Sequence, residues 1–194
     1  MGIQSLKTGS RSRSVMSGNT LIYPGDFESI ATVTVGAGGA ANVEFTGIGT
    51  GWTHLQIRSL ARTTEAATGT ISYLQFNSDT TTGNYYGHGL YGTGTSAVAY
   101  ALDGSYYASL SVLTGASATA SVFGAGVIDI LDYRNANKYK TVRNLSGYDN
   151  NGSGQVRFAS GLWMSTSAIT SIKIVPNSGN FAQYSHFALY GIRG

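Results

Sequence analysis

The chain has 194 residues, of which 42% are hydrophobic and only 11% are charged, and its formal net charge is +3. It contains no cysteine, which excludes disulfide bonds, thiolate metal sites and a cysteine nucleophile. No apolar run approaches the roughly 18 residues of a membrane-spanning helix, and the first residues lack the apolar stretch of a secretory signal.

The first 26 residues are basic and polar, whereas the rest of the chain is neutral. Lys7, Arg11 and Arg13 precede every acidic residue, and the body after them has as many acids as bases. A segment of this kind is more often an attachment device than part of a fold. We therefore predict an extended N-terminal attachment arm at 1–26 and a folded domain at 27–194. We expect the three arm bases to bind acidic patches on a partner protein.

Short β-segments separated by Gly, Asn and Thr turns follow the arm. Their β-branched and aromatic residues alternate with polar ones, and no segment shows a helical period. About ten strands are predicted, within the ranges 30–35, 42–45, 54–60, 70–76, 96–102, 106–113, 121–133, 139–145, 155–163, 169–175 and 185–192. The pattern predicts an all-β fold, an antiparallel, jelly-roll-like β-sandwich.

Three local features of this strand pattern carry further expectations. The first two segments, 30–35 and 42–45, have the pattern of a hairpin with a long loop. Residues 77–95 are rich in Asn, Thr, Gly and Tyr and predict a long exposed excursion. The nearly continuous apolar run at 127–131 is typical of a central strand that is covered on both faces.

The titratable residues do not form a recognisable catalytic constellation. His54, His88 and His186 are interpreted as structural or surface histidines, because no nucleophile elbow accompanies them. Most acidic residues fall in predicted turns. Asp129 is the exception, and it is expected to pair with a base on the segments that follow it, Arg134, Lys138 or Arg143. The sequence therefore predicts no catalytic residue, no cofactor and no metal ligand.

The loop at 149–154, with the sequence DNNGSG, resembles the opening of a calcium loop, since it carries side-chain oxygens at alternate positions and a Gly at its sixth position. It lacks the bidentate Glu at the twelfth position, where Ser160 stands, and it has no flanking helices. An ordinary Asn-Gly turn is the favoured interpretation.

Six tyrosines fall within 23 positions among Asn, Gly and Ser, and this cluster is a candidate interaction site: Tyr85, Tyr86, Tyr91, Tyr100, Tyr106 and Tyr107. A tyrosine offers a large apolar ring with a polar tip, which suits protein interfaces as well as sugar stacking. A protein interface is favoured, and plain packing and host-glycan recognition are the alternatives.

Several segments of the body carry a recognisable pattern: FESIATVTVG at 27–36, THLQIR at 53–58, ART at 61–63, DILDY at 129–133, NKYKT at 137–141, STSAITSI at 165–172 and FALYGI at 187–192. Together they resemble a family of uncharacterised bacteriophage structural proteins. The resemblance begins after the arm and covers nearly the whole body. It implies a virion component with a β-sandwich body and without a catalytic residue.

These observations predict a non-enzymatic virion structural protein that assembles in the host cytoplasm. The first candidate is a capsid decoration (cement) protein that binds major capsid or tail proteins of the same virion and forms a homotrimer. Neither nucleic acid nor a membrane is an expected partner. The alternatives are a tail or fibre protein that binds host glycan through its Tyr/Asn-rich loops, a glycoside hydrolase or lyase, and a free carbohydrate-binding module.

Overall fold

A computed structural model describes residues 15–17, 20–22, 25–105 and 107–194. These residues contain fourteen strands and no helix: β1 Val15–Ser17, β2 Thr20–Ile22, β3 Phe27–Thr34, β4 Val43–Phe45, β5 His54–Ala61, β6 Gly69–Phe76, β7 Tyr85–Gly92, β8 Ala97–Ser105, β9 Ala108–Thr114, β10 Gly124–Leu131, β11 Lys140–Asp149, β12 Gly154–Trp163, β13 Ile172–Pro176 and β14 His186–Ile192. Within these described ranges there is consequently no helix that could cross a membrane.

Two antiparallel sheets form the body, which confirms the predicted β-sandwich. The larger sheet has eight strands in the order β3-β14-β5-β10-β11-β12-β7-β8, and the smaller has four in the order β4-β13-β6-β9. β1 and β2 pair with each other as a separate antiparallel hairpin. This hairpin lies within the predicted arm, and the three arm bases lie outside the described residues.

The core lies between the two sheets because successive side chains of a strand point to opposite faces. Leu55 and Ile57 of β5 and Ile128 and Ile130 of β10 point inward and are buried. They belong to one hydrophobic cluster with inward residues of the small sheet, such as Phe76. The eight-stranded sheet therefore buries one face against the small sheet.

Hydrogen bonds tie the edge of the small sheet to the large one. The edge strand β9 runs over β11, where the Val112 amide donates to Ser146 Oγ at 3.0 Å. Next to it, Asn144 Nδ2 donates to Ser111 Oγ at 2.8 Å. All four of these residues are buried. These polar contacts give partners to buried groups that would otherwise be costly at the margin of an apolar core.

The predicted hairpin between residues 30–35 and 42–45 is wrong. β3 pairs with β14 in the large sheet, whereas β4 pairs with β13 in the small sheet. The connection between β3 and β4 is therefore a crossing from one layer of the sandwich to the other. Alternation alone does not reveal this, because it predicts strands but not their partners.

The stretch at 77–95, predicted as an exposed excursion, contains a strand of the large sheet. β7 pairs with β12 on one side and with β8 on the other. Its many glycines hid the strand pattern, since Gly is uncommon inside strands. The predicted turn Asp103-Gly104 likewise lies inside β8, where Gly104 has a φ of 64°.

The expectation that the run at 127–131 is covered on both faces is also wrong for the single chain. Ile128 and Ile130 are buried, but Val127 points to the opposite face and is 39% exposed. That opposite face of the eight-stranded sheet, called the outer face below, is where the candidate site lies.

Candidate interaction surface

The outer face carries a row of large apolar side chains that crosses four neighbouring strands. Val127 of β10 stands opposite Leu145 of β11, and Leu145 stands opposite Phe158 of β12. Phe158 in turn stands opposite Leu90 of β7. Each of these four side chains is between 39% and 54% exposed. We call this row the ridge.

A second row runs beside the ridge, two residues away along each strand, and its central members are small. Ala125 pairs with Gly147, Gly147 pairs with Val156, and Val156 pairs with Gly92. On the far side Ala125 pairs with Leu60 of β5. We call this row the groove, because its small central residues are flanked by the larger Leu60 and Val156.

The shape of the groove follows from these residue sizes. It forms part of an open cavity of about 620 Å³, which is lined by residues of β5, β10, β11 and β12. Gly147 has no room for a side chain, since a Cβ there would lie 2.9 Å from the Gln155 carbonyl oxygen. A Cβ at Gly92, by contrast, would meet nothing closer than 3.8 Å.

Polar residues border the ridge on the side away from the groove. Asp129 accepts a hydrogen bond from Gln56 Nε2 at 2.8 Å and lies 3.8 Å from Arg143 Nη2. Of the three bases expected to pair with Asp129, Arg143 is therefore the one that does so. Lys138 instead donates to Asp132 at 2.6 Å. The charges at this border are thus compensated within the chain.

At the β5 end of the ridge, an arginine lies on aromatic rings. Arg58 stands opposite Val127, and its guanidinium lies 5.2 Å from the ring centre of Phe27 and 5.5 Å from that of Tyr190. The two rings stack on each other with their centres 4.8 Å apart. These cation–π contacts hold the Arg58 side chain against the end strands of the sheet.

Tyr85, one of the candidate interface residues, is fully buried and offers no ring to a partner. It packs near Phe76 and Trp163, with ring centres 6.4 Å and 6.3 Å away. Its hydroxyl donates to the Asp79 carbonyl oxygen at 3.1 Å. Burial raises the pKa of Tyr85 to about 12. Tyr85 is therefore a core residue on the inward side of β7.

Tyr91 and Tyr100 enclose a buried cation on the inward side of the β7–β8 edge. The guanidinium of Arg157 lies 5.2 Å from the ring centre of Tyr91 and 4.9 Å from that of Tyr100. Arg157 is buried, and burial also raises the pKa of Tyr100. Both tyrosine rings therefore pack on the Arg157 guanidinium within the chain.

The other tyrosines of the cluster are in different places. Tyr86 points to the outer face, where it stands opposite Leu162 and is 36% exposed. Tyr107 stacks on Tyr73 with ring centres 3.9 Å apart. Tyr106 lies outside the described residues, as do Lys7, Arg11 and Arg13. The fold therefore disperses the sequence cluster over both faces of the sheet.

Two of the three histidines make side-chain contacts within the chain. His54 Nδ1 accepts a hydrogen bond from the Asp132 amide at 2.9 Å. His186 Nδ1 lies 3.0 Å from Thr34 Oγ1. His88 points to the outer face, opposite Ser160 of β12. The three rings lie on separate strands of the sheet.

The loop at 149–154 is the turn of the β11–β12 hairpin, in agreement with the favoured interpretation. The Asn150 amide donates to the Ser153 carbonyl oxygen at 2.6 Å, and Asn151 and Gly152 both have positive φ. Asn150 Oδ1 accepts a hydrogen bond from the Thr119 amide. Across the described ranges, no group of three or more His, Cys, Asp and Glu side chains could hold a metal ion.

Sequence reasoning missed the ridge and the groove as a site. The signal was present in β10, where apolar residues occupy both faces of the strand. Leu145 and Phe158 added to it, because each is a large apolar residue at an outward position. Only the pairing of the strands shows that these side chains form one continuous row.

Comparisons with known proteins did not identify a family. No protein family matches the chain, and no curated protein matches it either. A homodimeric agglutinin from chicken liver is 8% identical, with a TM-score of 0.22, over 73% of this chain and 99% of its own. A legume lectin-like domain from Entamoeba histolytica is 9% identical, with a TM-score of 0.20, over 93% and 87%. A protein of unknown function from Shewanella oneidensis MR-1 is 10% identical, with a TM-score of 0.20, over 92% and 78%.

Proposed function

We propose that this chain is a non-enzymatic structural protein of a bacteriophage virion, with capsid decoration as the first candidate role. The observation that carries the proposal is the outer face, where the ridge and groove offer a continuous apolar surface. Contiguous apolar surface of this kind marks sites of protein association. The resemblance of the body segments to phage structural proteins supports a particle built from many protein copies as the setting of that association, and attachment to other virion proteins is assigned to the arm below.

The basic arm has a separate part in this proposal. Lys7, Arg11 and Arg13 stand among Ser and Gly ahead of the neutral body. A polar segment that orders only on binding loses conformational entropy, but it can follow a large area of a partner. We assign these bases to acidic patches on major capsid or tail subunits.

The role in a virion can be tested on purified particles of the phage that encodes the chain. We expect the protein in washed particles at a fixed ratio to the major capsid protein, and electron microscopy should place its density on the shell. Absence of the chain from washed particles would overturn the proposal. Density on the tail would exclude the decoration role and keep the virion role.

Attachment through the arm is tested with variants of the arm itself. Deletion of residues 2–23 should strongly reduce occupancy on particles that lack the protein. Substitution of Lys7, Arg11 and Arg13 by Ser removes the charge and keeps the length of the arm, so it should also weaken binding, most at low salt. Full occupancy of the truncated protein would disprove attachment through the arm.

A fibre protein that binds host glycan is the second candidate, and the exposed ring of Tyr86 on the outer face is the observation that favours it. Tyr85 cannot take part because it is buried. If this function holds, Tyr86→Ala should abolish binding on a glycan array, and Tyr85→Phe should preserve it. An array on which the wild-type chain binds no glycan would contradict this candidate.

A further inference from the structure

We infer that two copies of this chain pair through their outer faces, with the ridge of each copy in the groove of the other. The inference rests on the shape of this face and does not depend on a role in a virion. The ridge and the groove lie side by side on β10, β11, β12 and β7, and the groove extends to β5. A two-fold axis that lies in the plane of the interface, between the two rows and parallel to them, brings each ridge over the opposite groove.

The residue sizes fit this arrangement on β10, β11 and β7. On β12 the same operation places Phe158 over Val156, so two large side chains pack against each other there. Residues two apart on a strand point the same way and are separated by about 7 Å. The two-fold axis therefore places Leu145 of one copy over Gly147 of the other. By the same operation Val127 lies over Ala125. A surface that complements itself about a two-fold axis is what an isologous dimer requires.

Leu90 lies over Gly92 in the same arrangement, and this pair is suited to a test. Both residues belong to β7, and Leu90 is 54% exposed. The site of Gly92 is open within a single chain, since an added Cβ would meet nothing closer than 3.8 Å. A side chain at position 92 would therefore disturb a second copy far more than the fold.

The charges on this face are compatible with a second copy. The ridge and the groove contain no charged side chain, and Arg58, which lines the end of the cavity beside them, is held on two aromatic rings of its own chain. The nearest carboxylate on the ridge side, Asp129, is already engaged by Gln56 and Arg143. An apolar partner surface leaves no unpaired charge at the interface, and an identical copy provides such a surface.

The size of the face is adequate for a stable pair. Five strands about 4.8 Å apart and three rows of side chains about 7 Å apart (the ridge, the groove and the polar row beside the ridge) span a flat area of roughly 500 Å². The relief of the side chains adds to this area, which brings it to the roughly 600 Å² that each partner buries at the lower end of stable complexes. Face-to-face packing of two sheets about 10 Å apart is a common arrangement in proteins.

The composition of β10 agrees with burial of its outer face. Apolar residues at 127, 128, 130 and 131 are typical of a strand that is covered on both sides. The small sheet covers only the side of Ile128 and Ile130. A second copy would cover Val127 and give β10 the environment that its sequence indicates.

The full-length chain provides the first test. Stable protein–protein interfaces have dissociation constants in the micromolar range or below, so at about 100 μM most of the chain should be paired. Light scattering after gel filtration should give twice the chain mass of 20.3 kDa. A single-chain mass at this concentration would overturn the inference. A three-chain mass, which the homotrimer predicted from the sequence would give, would also overturn it, because three flat faces cannot each cover another in full.

Charge substitutions locate the interface. Leu145→Glu should raise the dissociation constant at least about a hundredfold, because the carboxylate would be buried against an apolar face. Tyr184→Asp is the matched control. It introduces the same charge at a site that is 69% exposed, outside the strands, and Asp tolerates the positive φ found there. A pair that survives Leu145→Glu, or is lost in Tyr184→Asp, would disprove the assigned interface.

A size swap tests the register of the two rows. Gly92→Leu should weaken pairing about tenfold or more, because it fills the groove where Leu90 of the other copy lies. Leu90→Ala should also weaken pairing. The double variant should pair more tightly than Gly92→Leu alone, since the new leucine then faces a small residue. Strictly additive effects of the two substitutions would contradict the proposed register, and circular dichroism checks the fold of each variant.

Discussion

Asp79 shows how one side chain organises a loop that the sequence alone presents as exposed. Its carboxylate accepts hydrogen bonds from Trp163 Nε1 at 2.7 Å, from Asn84 Nδ2 at 2.9 Å and from the Thr81 amide at 2.9 Å. Burial acts to raise the pKa of Asp79, but these hydrogen bonds outweigh it and lower the pKa to about 2. The contact to Trp163 ties the 77–84 loop to the aromatic part of the core.

Substitution of Asp79 should remove a pH-dependent contribution to the free energy of unfolding. The pKa of about 2 in the folded chain lies below the ordinary value of 3.8, so the carboxylate stabilises the fold above about pH 4. This contribution is lost as the pH falls towards 2. Asp79→Asn should lower the free energy of unfolding by about 1–2 kcal/mol at pH 7. Urea unfolding should show the difference shrinking towards pH 2, whereas a difference that does not change with pH would contradict this account.

Lys140 is a second residue whose role depends on the fold. It is fully buried at the start of β11. Its three ammonium N–H groups are shared among four backbone carbonyl oxygens within 3.4 Å, those of Asn135, Lys138, Ser165 and Thr166. The side chain thereby joins the loop before β11 to the loop after β12. The carbonyl dipoles compensate the buried charge, and the Asp132 carboxylate adds a favourable Coulomb interaction.

Loss of the Lys140 ammonium should be strongly destabilising. Lys140→Met keeps the aliphatic stem but leaves the carbonyl groups around it without their donor, so we expect a loss of about 2–3 kcal/mol. Lys138→Met is the control, because that ammonium is exposed and makes a surface ion pair with Asp132, and its loss should change stability by less than about 1 kcal/mol. Equal effects of the two substitutions in thermal unfolding would argue against the proposed role.

At the scale of elements, the β7–β8 pair depends on a glycine that is covered by a tyrosine. Gly89 stands opposite Tyr100, and a Cβ on Gly89 would lie 2.5 Å from the Tyr100 ring. The ring therefore lies flat over the glycine, where it also covers Arg157 together with Tyr91. β8 is the last strand of the sheet, and this packing contributes to holding it in place.

Gly89→Val should loosen this edge of the sheet. The new side chain would displace Tyr100 from Arg157, so the amides of β8 should exchange with deuterium at least about tenfold faster. Gly92→Ala is the control on the same strand, because the added Cβ has room there and leaves Tyr100 in place. Unchanged exchange in β8 of the Gly89→Val variant would show that the ring is not required to hold the strand.

At the scale of the whole molecule, the sandwich is asymmetric, with eight strands in one sheet and four in the other. The small sheet buries one face of the large sheet and leaves the ridge and groove open to solvent. Lys7, Arg11 and Arg13 add a second, basic group of side chains to the proposed function. The two proposals therefore assign association to two surfaces with different physical chemistry, one apolar and one charged.

The dependence of binding affinity on salt concentration should distinguish these two modes of association. Contacts of the arm bases with acidic patches should weaken as salt is raised from about 0.05 M to about 0.5 M, because the charges are screened. Pairing through the apolar outer face should stay constant or strengthen slightly. Analytical ultracentrifugation of the chain alone measures the second mode. A pair that dissociates at high salt would indicate that the arm, rather than the outer face, holds the two copies together.

The sequence by itself determined the all-β class, the sandwich and most strand positions, because alternation and β-branched residues are local signals. It also indicated Arg143 among three candidate partners of Asp129, and the Asn-Gly turn between β11 and β12. Each of these features can be read within a few consecutive residues.

Only the tertiary structure decided which strands pair and what each face contains. It separated β3 from β4, placed a glycine-rich strand inside the large sheet and buried Tyr85. It also aligned Val127, Leu145 and Phe158 in one row, although they come from three strands. The reason is that register and layer depend on contacts between residues distant in the chain, and a shift of one residue reverses the face of every side chain in a strand.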